Sequence, residues 1–327
     1  MTITMLNTHL IFLDPLSVRL EQVETLLASQ VDGSRSPLEA ALAQLIAAGG
    51  KRIRPRLALL TGGLLAADPE PLLHLAAAVE MLHTATLIHD DLVDGAALRR
   101  GVETLNAREP AAASVLVGDF AFTRAAQLIL ATDSLPVIGL FTNCMARMVD
   151  SELTQLARPR GISNREEYYH WIGAKTAALF ELAAGAPALL GPTKVETVAP
   201  ARRFGYAVGM AFQIMDDVLD FIGDTSSLGK PAGQDLRQGV LTLPALLYLE
   251  AHPADPCLRL LIDRQPLPEA ELEQLVTAIR RGGAIEQAMD EARIYVRDGL
   301  DALQQLPMGP ECFALEEIAR SVVEKNL

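Results

Sequence analysis

Two acidic triplets with the same internal spacing constrain this chain more than any other feature of its sequence. His89-Asp90-Asp91-Leu92-Val93-Asp94 closes one long apolar stretch, and Asp216-Asp217-Val218-Leu219-Asp220 closes another, 126 positions later. On an α-helix advancing about 100° per residue, the three aspartates fall at roughly 0°, 100° and 40°, so each triplet shares one face. Like charges one turn apart repel, and carboxylates near a helix C-terminus oppose the helix dipole. One such triplet reads as a solvated helix end. Two of them, each carrying both costs, read as positions held for a positive partner. Carboxylate oxygens without Cys companions suit a hard cation such as Mg²⁺, which keeps waters and is shared with substrate phosphates. His89, directly before Asp90, reads as a packing or supporting residue.

Helices of this length need a helical context, and the rest of the chain provides it. Ala and Leu dominate while aromatic residues make up 5%, a composition that favours helix without β-branched crowding. Apolar spacing and punctuation predict helices over 15–31, 37–48, 51–65, 71–94, 110–131, 135–156, 163–185, 195–221, 239–251, 267–279, 281–304 and 310–323. Asp14 and Pro15 look like the cap and first turn of the first, leaving residues 1–13 as a flexible N-terminal segment. Gly95 to Asn106 reads as irregular, and no strand alternation stands out. The breaks at 133–136, 191–194 and 223–235 have ordinary loop lengths, and there is no fixed-period repeat. The expectation is one all-α domain.

Charge and cysteine usage remove several function classes. The 327 residues carry a formal charge of −13 and are half hydrophobic, which argues against a nucleic-acid backbone as partner. Cys144, Cys257 and Cys312 have neither disulfide nor metal-ligand spacing, which fits a reducing compartment. The N-terminus lacks the basic and apolar regions of a signal peptide, and 127–149 and 177–190 are interrupted by charges, Gly or Pro, so neither a transmembrane segment nor export is expected. The Gly-rich stretch 223–235 does not match a phosphate-binding P-loop, and no nucleophile elbow or zinc-protease motif is present.

Against this acidic background, Lys51, Arg54, His83, Arg99, Arg100, Lys175 and Lys230 stand beside the aspartate-bearing features. Arg99 and Arg100 follow the first triplet within one loop, and Lys230 follows Asp220 by ten residues. Lys51 and Arg54 sit at a helix entrance, where side chains and free N–H groups can serve one anion. His83 lies two turns before Asp90. Any of these alone is an ordinary surface charge or core histidine; together they suit a diphosphate whose far side is neutralised by metal.

In this order, GGKRIRP at 49–55, LHTATLIHDDLVD at 82–94, RRGVETLN at 99–106, the Glu152/Gln155 helix, GAKTAALF at 173–180, FQIMDDVLD at 212–220, GKPAGQDL at 229–236 and TLP at 242–244 resemble the trans-isoprenyl diphosphate synthases, or polyprenyl synthetases. The resemblance spans most of the chain. It implies a single-domain helical bundle around a central cavity, usually a homodimer, cytoplasmic, with loose membrane association for product release. It implies condensation of an allylic diphosphate primer with successive isopentenyl diphosphates. Asp90, Asp91, Asp94, Asp216, Asp217 and Asp220 would hold three Mg²⁺ ions; Arg99, Lys175 and Lys230 would grip the allylic diphosphate; Lys51, Arg54, His83 and Arg100 would hold isopentenyl diphosphate. Thr176 and Gln213 would stabilise charge at the reacting carbons. One departure is Val240, where the family usually has Lys, which removes a diphosphate contact.

Within that family the product tail runs beside the helix before the first triplet, where bulk four or five positions upstream stops growth. Here those positions are Thr86 and Ala85, with Leu82, Met81 and Ala78 deeper. None is aromatic, so an all-trans product of C30–C50 is expected. The alternatives are a C20/C25 synthase, with a floor from Phe120, Phe122 or Met145, and a non-catalytic or regulatory subunit of a heteromeric synthase.

Overall fold

The computed structural model describes residues 2–33, 36–99, 102–157, 161–192, 195–222 and 232–324. Their helices are α1 (Thr2–Ser29), α2 (Pro37–Ala47), α3 (Ile53–Leu64), α4 (Pro69–Val93), α5 (Leu105–Arg108), α6 (Ala111–Leu130), α7 (Leu135–Ala157), α8 (Arg165–Ile172), α9 (Ala178–Gly185), α10 (Val198–Ile222), α11 (Gln234–Arg237), α12 (Leu243–Ala251), α13 (Pro256–Ile262), α14 (Glu269–Arg281), α15 (Ala284–Leu303) and α16 (Pro310–Glu324). A π-helical turn, Gly173–Ala177, joins α8 to α9, and short 3₁₀ turns lie at Ala186–Leu189 and Val195–Thr197. Two two-residue strands, β1 (Leu98–Arg99) and β2 (Val102–Glu103), pair antiparallel.

Several expected boundaries change. The first helix begins at Thr2 and carries Pro15 inside it, where the missing N–H forfeits one backbone bond without forbidding helical φ. The segment expected to be irregular after α4 folds into the β1–β2 hairpin, too short to show alternation. The helix expected over 163–185 is broken by the π turn. Helix α13 was not foreseen, although Asp255 and Pro256 mark its start: the Asp255 carboxylate accepts the N–H groups of Cys257 and Leu258 at 2.9 and 3.1 Å.

The polypeptide divides into two compact units that exchange segments along the chain. Unit 1 comprises residues 1–142, 182–202 and 304–315, and unit 2 comprises 143–181, 203–303 and 316–327. In unit 1, α4 packs chiefly on α6, with α3 and α1 alongside. Leu72, Leu75, Ala76, Ala77, Ala78, Val79, Met81, Leu82 and Ala85 of α4 are fully buried, and Ala121 and Ala125 of α6, four apart, are too; their small side chains allow close approach. By length and mean hydropathy, 1.3 each, α4 and α6 would be long enough to cross a membrane, but 61% of the apolar window of α4 is buried in the fold. Cys144, Cys257 and Cys312 form no disulfide.

In unit 2, α10 lies directly on the π turn and α9. A side chain added at Gly209 would meet the Ala177 Cα at 2.7 Å and the Phe180 Cβ at 2.9 Å, and the rings of Phe180 and Phe212 lie 5.3 Å apart. This contact sets the distance between the helix that carries the second triplet and the turn that carries Lys175 and Thr176. Gly209→Ala is expected to destabilise the protein by about 1–3 kcal/mol, because the overlap is with backbone that cannot rotate away. Gly139→Ala in α7, where an added Cβ meets nothing within 4 Å, is expected to be neutral or slightly stabilising. Urea denaturation of both variants checks the contrast.

Candidate active site

The first triplet occupies the end of α4. Asp94 follows the last helical residue and donates its N–H to the Asp90 carbonyl at 2.8 Å, and Ala96 donates to the Asp91 carbonyl at 2.9 Å. Gly95 then takes φ +62°, a left-handed conformation that suits Gly. The chain reverses through β1, which returns Arg99 so that its Nε donates to Asp91 Oδ1 at 2.8 Å. Asp91 is buried, Asp90 half-buried and Asp94 exposed. Arg99, expected on a diphosphate, thus also pairs with a carboxylate of the triplet; Arg100 lies outside the described residues. His89 packs on α6: its Nε2 is 3.2 Å from the Val115 carbonyl, its ring is 5.4 Å from that of Phe122, and a Cβ at Gly118 would overlap it.

The Gly49–Pro55 segment lies in the same unit. Gly49 adopts φ +65° and Arg52 φ +48°, which folds the chain tightly into the first turn of α3. Lys51 is exposed, while Arg54 and His83 are half-buried. Sequence reasoning passed over Arg52, whose guanidinium bridges Glu24 on α1 and Glu80 on α4. Burial alone would lower its pKa, but the hydrogen bonds and charges of Glu24 and Glu80 outweigh this and raise it. Nothing in the order Lys-Arg-Ile-Arg says which cation turns inward. The chain-length candidates Ala78, Met81, Leu82 and Ala85 are all buried on α4, and Thr86 is half-buried with its hydroxyl donated to the His83 carbonyl at 2.8 Å.

The second triplet, near the end of α10 in unit 2, is arranged differently. Asp216 is exposed, Asp217 is 4% exposed, and Asp220 is half-buried. Tyr168 on α8 donates to Asp217 Oδ2 at 2.5 Å, and Gln213 Nε2 donates to Asp217 Oδ1 at 2.8 Å. Gln213 Oε1 in turn accepts from Thr176 Oγ1 at 2.7 Å. Four side chains are thus linked in one run from the π turn to α8. Asp220 Oδ1 and Oδ2 accept the N–H groups of Gln234 and Asp235 at 3.0 and 3.1 Å, and its carbonyl accepts that of Gly233 at 2.9 Å. Asp220, expected as a metal ligand, thereby tethers α11 to the end of α10. Lys230 lies outside the described residues. Val240 is half-buried and its N–H donates to the Asp235 carbonyl at 2.9 Å.

Lys175 and Thr176 sit in the π turn, where the Ala178 N–H reaches the Gly173 carbonyl. The extra residue per turn changes the direction of the side chains that follow, a feature common at functional sites and invisible to helical periodicity. Lys175 Nζ is 3.2 Å from Glu152 Oε1 and 5.5 Å from the centre of the Trp171 ring. Neither Tyr168 nor Glu152 was singled out as a partner from sequence: Tyr168 is 49 residues from Asp217, and only folding brings them together.

A polyprenyl synthetase family model matches residues 35–279. The chain belongs to this family. It is 37% identical to an all-trans-nonaprenyl-diphosphate synthase (geranyl-diphosphate specific) of Rhodobacter capsulatus, over 86% of this chain and 87% of the relative. It is 35% identical to the octaprenyl diphosphate synthase of Haemophilus influenzae, over 86% of each chain. Among solved structures, a polyprenyl synthase from Caulobacter crescentus complexed with calcium and isoprenyl diphosphate superposes with a TM-score of 0.89 at 35% identity, covering 95% of this chain and 96% of that one. The fold of this polyprenyl synthetase is the all-α isoprenoid synthase fold.

The donor chemistry of both triplets fits a hard divalent cation. Each is built from carboxylates, and at the second both burial and neighbouring negative charge act on Asp217. Burial pushes its carboxyl well above the usual carboxylate range; Asp235 adds to the rise, the hydrogen bonds from Tyr168 and Gln213 oppose it, and Asp216 raises it further. A positive charge at the cluster would reverse that balance. With its pKa raised on folding, Asp217 contributes stability that is complete below its unfolded value, about pH 4, and is lost as pH rises through the folded value. The metal-free protein is therefore expected to lose melting temperature as pH rises above about 4, and Asp217→Asn to flatten that decline. Parallel profiles for the two proteins in a thermal-melt series without metal would contradict the assignment.

Proposed function

We propose that this polyprenyl synthetase is a trans-prenyltransferase that extends an allylic diphosphate with successive isopentenyl diphosphates to an all-trans product of C30–C50. The observation that carries the reading is on one helix: α4 ends in Asp90, Asp91 and Asp94, and the face leading to them buries Ala78, Met81, Leu82 and Ala85 without an aromatic side chain. An elongating tail beside such a face meets no ring from α4 to stop it. The octaprenyl and nonaprenyl names of the relatives support the same range of lengths.

In this reading Asp90, Asp91, Asp94, Asp216, Asp217 and Asp220 hold the Mg²⁺ ions, three per site, and the diphosphates they accompany. Bound Mg²⁺ supplies positive charge to the allylic diphosphate as a leaving group. Lys175, Arg99 and Lys230 bind the allylic diphosphate, and Lys51, Arg54, His83 and Arg100 orient isopentenyl diphosphate. Once the allylic C–O bond breaks and diphosphate leaves, the isopentenyl double bond attacks the allylic cation, and the released diphosphate takes the proton whose loss restores a trans alkene. The Thr176–Gln213 hydrogen bond leaves the Gln213 amide held from both ends, so its oxygen and that of Thr176 are preorganised toward developing positive charge. Buried apolar residues of α4 keep water from the tail. The chain would work as a homodimer, a reading supported by exposed Leu116 and Leu130, two heptads apart on α6.

Asp90→Ala and Asp216→Ala are each expected to lower turnover by at least about 100-fold with far-UV circular dichroism unchanged; near-normal turnover would overturn the site. Incubation of the wild-type protein with radiolabelled isopentenyl diphosphate, Mg²⁺ and primers of C5 to C20 is expected to give products of C30–C50. A sharp C15 or C20 product would sink the chain-length reading, and no product at all the catalytic one.

A further inference from the structure

Arg52 stands between two cations assigned to isopentenyl diphosphate, yet its own charge is spent inside the protein. Its side chain is 10% exposed, and that of Glu80 is 8%. Nε donates to Glu24 Oε1 at 2.6 Å and Nη2 to Glu24 Oε2 at 2.9 Å, a two-pronged pair; Nη1 donates to Glu80 Oε1 at 2.7 Å; and Nη2 also donates to the Ile46 carbonyl at 2.7 Å. Two carboxylates face one guanidinium, so nothing positive remains for a diphosphate. Ile46 lies in the last turn of α2, and its carbonyl also accepts the Gly49 N–H at 3.2 Å. One side chain thus joins α1, α2 and α4 to the loop that enters α3.

The backbone beneath it is unusual. Arg52 is left-handed at φ +48°, a conformation that non-glycine residues hold only where surrounding contacts determine it. Lys51 precedes it directly and Arg54 follows by two, so its conformation sets the direction of both. Glu80 lies one turn before His83 on α4, so the same contact references the loop to the helix bearing the third proposed ligand of that diphosphate.

We propose that Arg52 is a positioning residue for isopentenyl diphosphate, pinning the Lys51–Arg54 loop through Glu24, Glu80 and the Ile46 carbonyl. The proposal rests on the reading that Lys51, Arg54 and His83 hold that substrate. Only a planar fork reaches these three partners together; a lysine ammonium at the same position keeps the charge but not the geometry.

Steady-state kinetics in both substrates test it. Arg52→Lys is expected to raise KM for isopentenyl diphosphate by about tenfold or more, while kcat and KM for the allylic primer change less than about threefold. In a Lys51→Ala, Arg54→Ala background the same substitution is expected to add less than about twofold, since it acts through groups already removed. An unchanged KM, an equal rise for both substrates, or full additivity would overturn the proposal. If Arg52→Lys fails to fold, Glu24→Gln, at a carboxylate 42% exposed, is expected to raise the same KM with an unaltered circular dichroism spectrum, and no rise there would overturn it. Lys51→Ala with unchanged KM for isopentenyl diphosphate would overturn the underlying substrate reading, whereas an impaired Lys51→Ala beside a neutral Arg52→Lys would overturn the role of Arg52 alone.

Discussion

Carboxylates crowded at the C-terminal end of a long apolar helix are electrostatically misplaced, and this chain places them there twice. The helix dipole, their mutual repulsion and, for the inner members, burial all disfavour the charged form. Much of the surrounding architecture answers that one constraint. At the end of α4 the answer is a cation: a glycine reversal and a short hairpin bring Arg99 back onto Asp91. At the end of α10 it is a set of neutral donors, with Tyr168 and Gln213 on Asp217 and the backbone of α11 on Asp220. Identical motifs therefore sit in different electrostatic settings, and the two triplets are not interchangeable.

The basic residues divide in the same way between those held inside the fold and those left accessible. Arg52 is held by two carboxylates of the fold and Arg99 pairs with Asp91 while staying partly accessible, whereas Lys51 is exposed. Arginine suits the first task because its fork satisfies several oxygens in one plane. Lys175 is intermediate, resting between Glu152 and the Trp171 ring on a π turn that sets its direction. The close contact of Gly209 with Ala177 and Phe180 fixes that turn against α10, so backbone packing, not side-chain chemistry, sets the spacing of Thr176 and Gln213.

The helical class, both acidic clusters, the non-aromatic face of α4 and the family could all be read from residue order, because periodicity and motif spacing are local properties that survive without a folded context. Residue order did not show which cation turns inward: Arg52 and Arg54 look alike in Lys-Arg-Ile-Arg, and it is Glu24 and Glu80, each 28 residues from Arg52, that hold Arg52. It also could not reveal the π turn, since Gly173–Ala177 keeps helical composition while its hydrogen bonding shifts by one residue. Asp217 and Asp220 share one motif with Asp216, yet their exposure and partners depend on α8 and α11, which come from elsewhere in the chain. Sequence alone determined which chemical groups this protein possesses and which helix face carries them; tertiary structure decided which carboxylates are desolvated and which cations are already neutralised, because those depend on burial and on partners brought together only by folding.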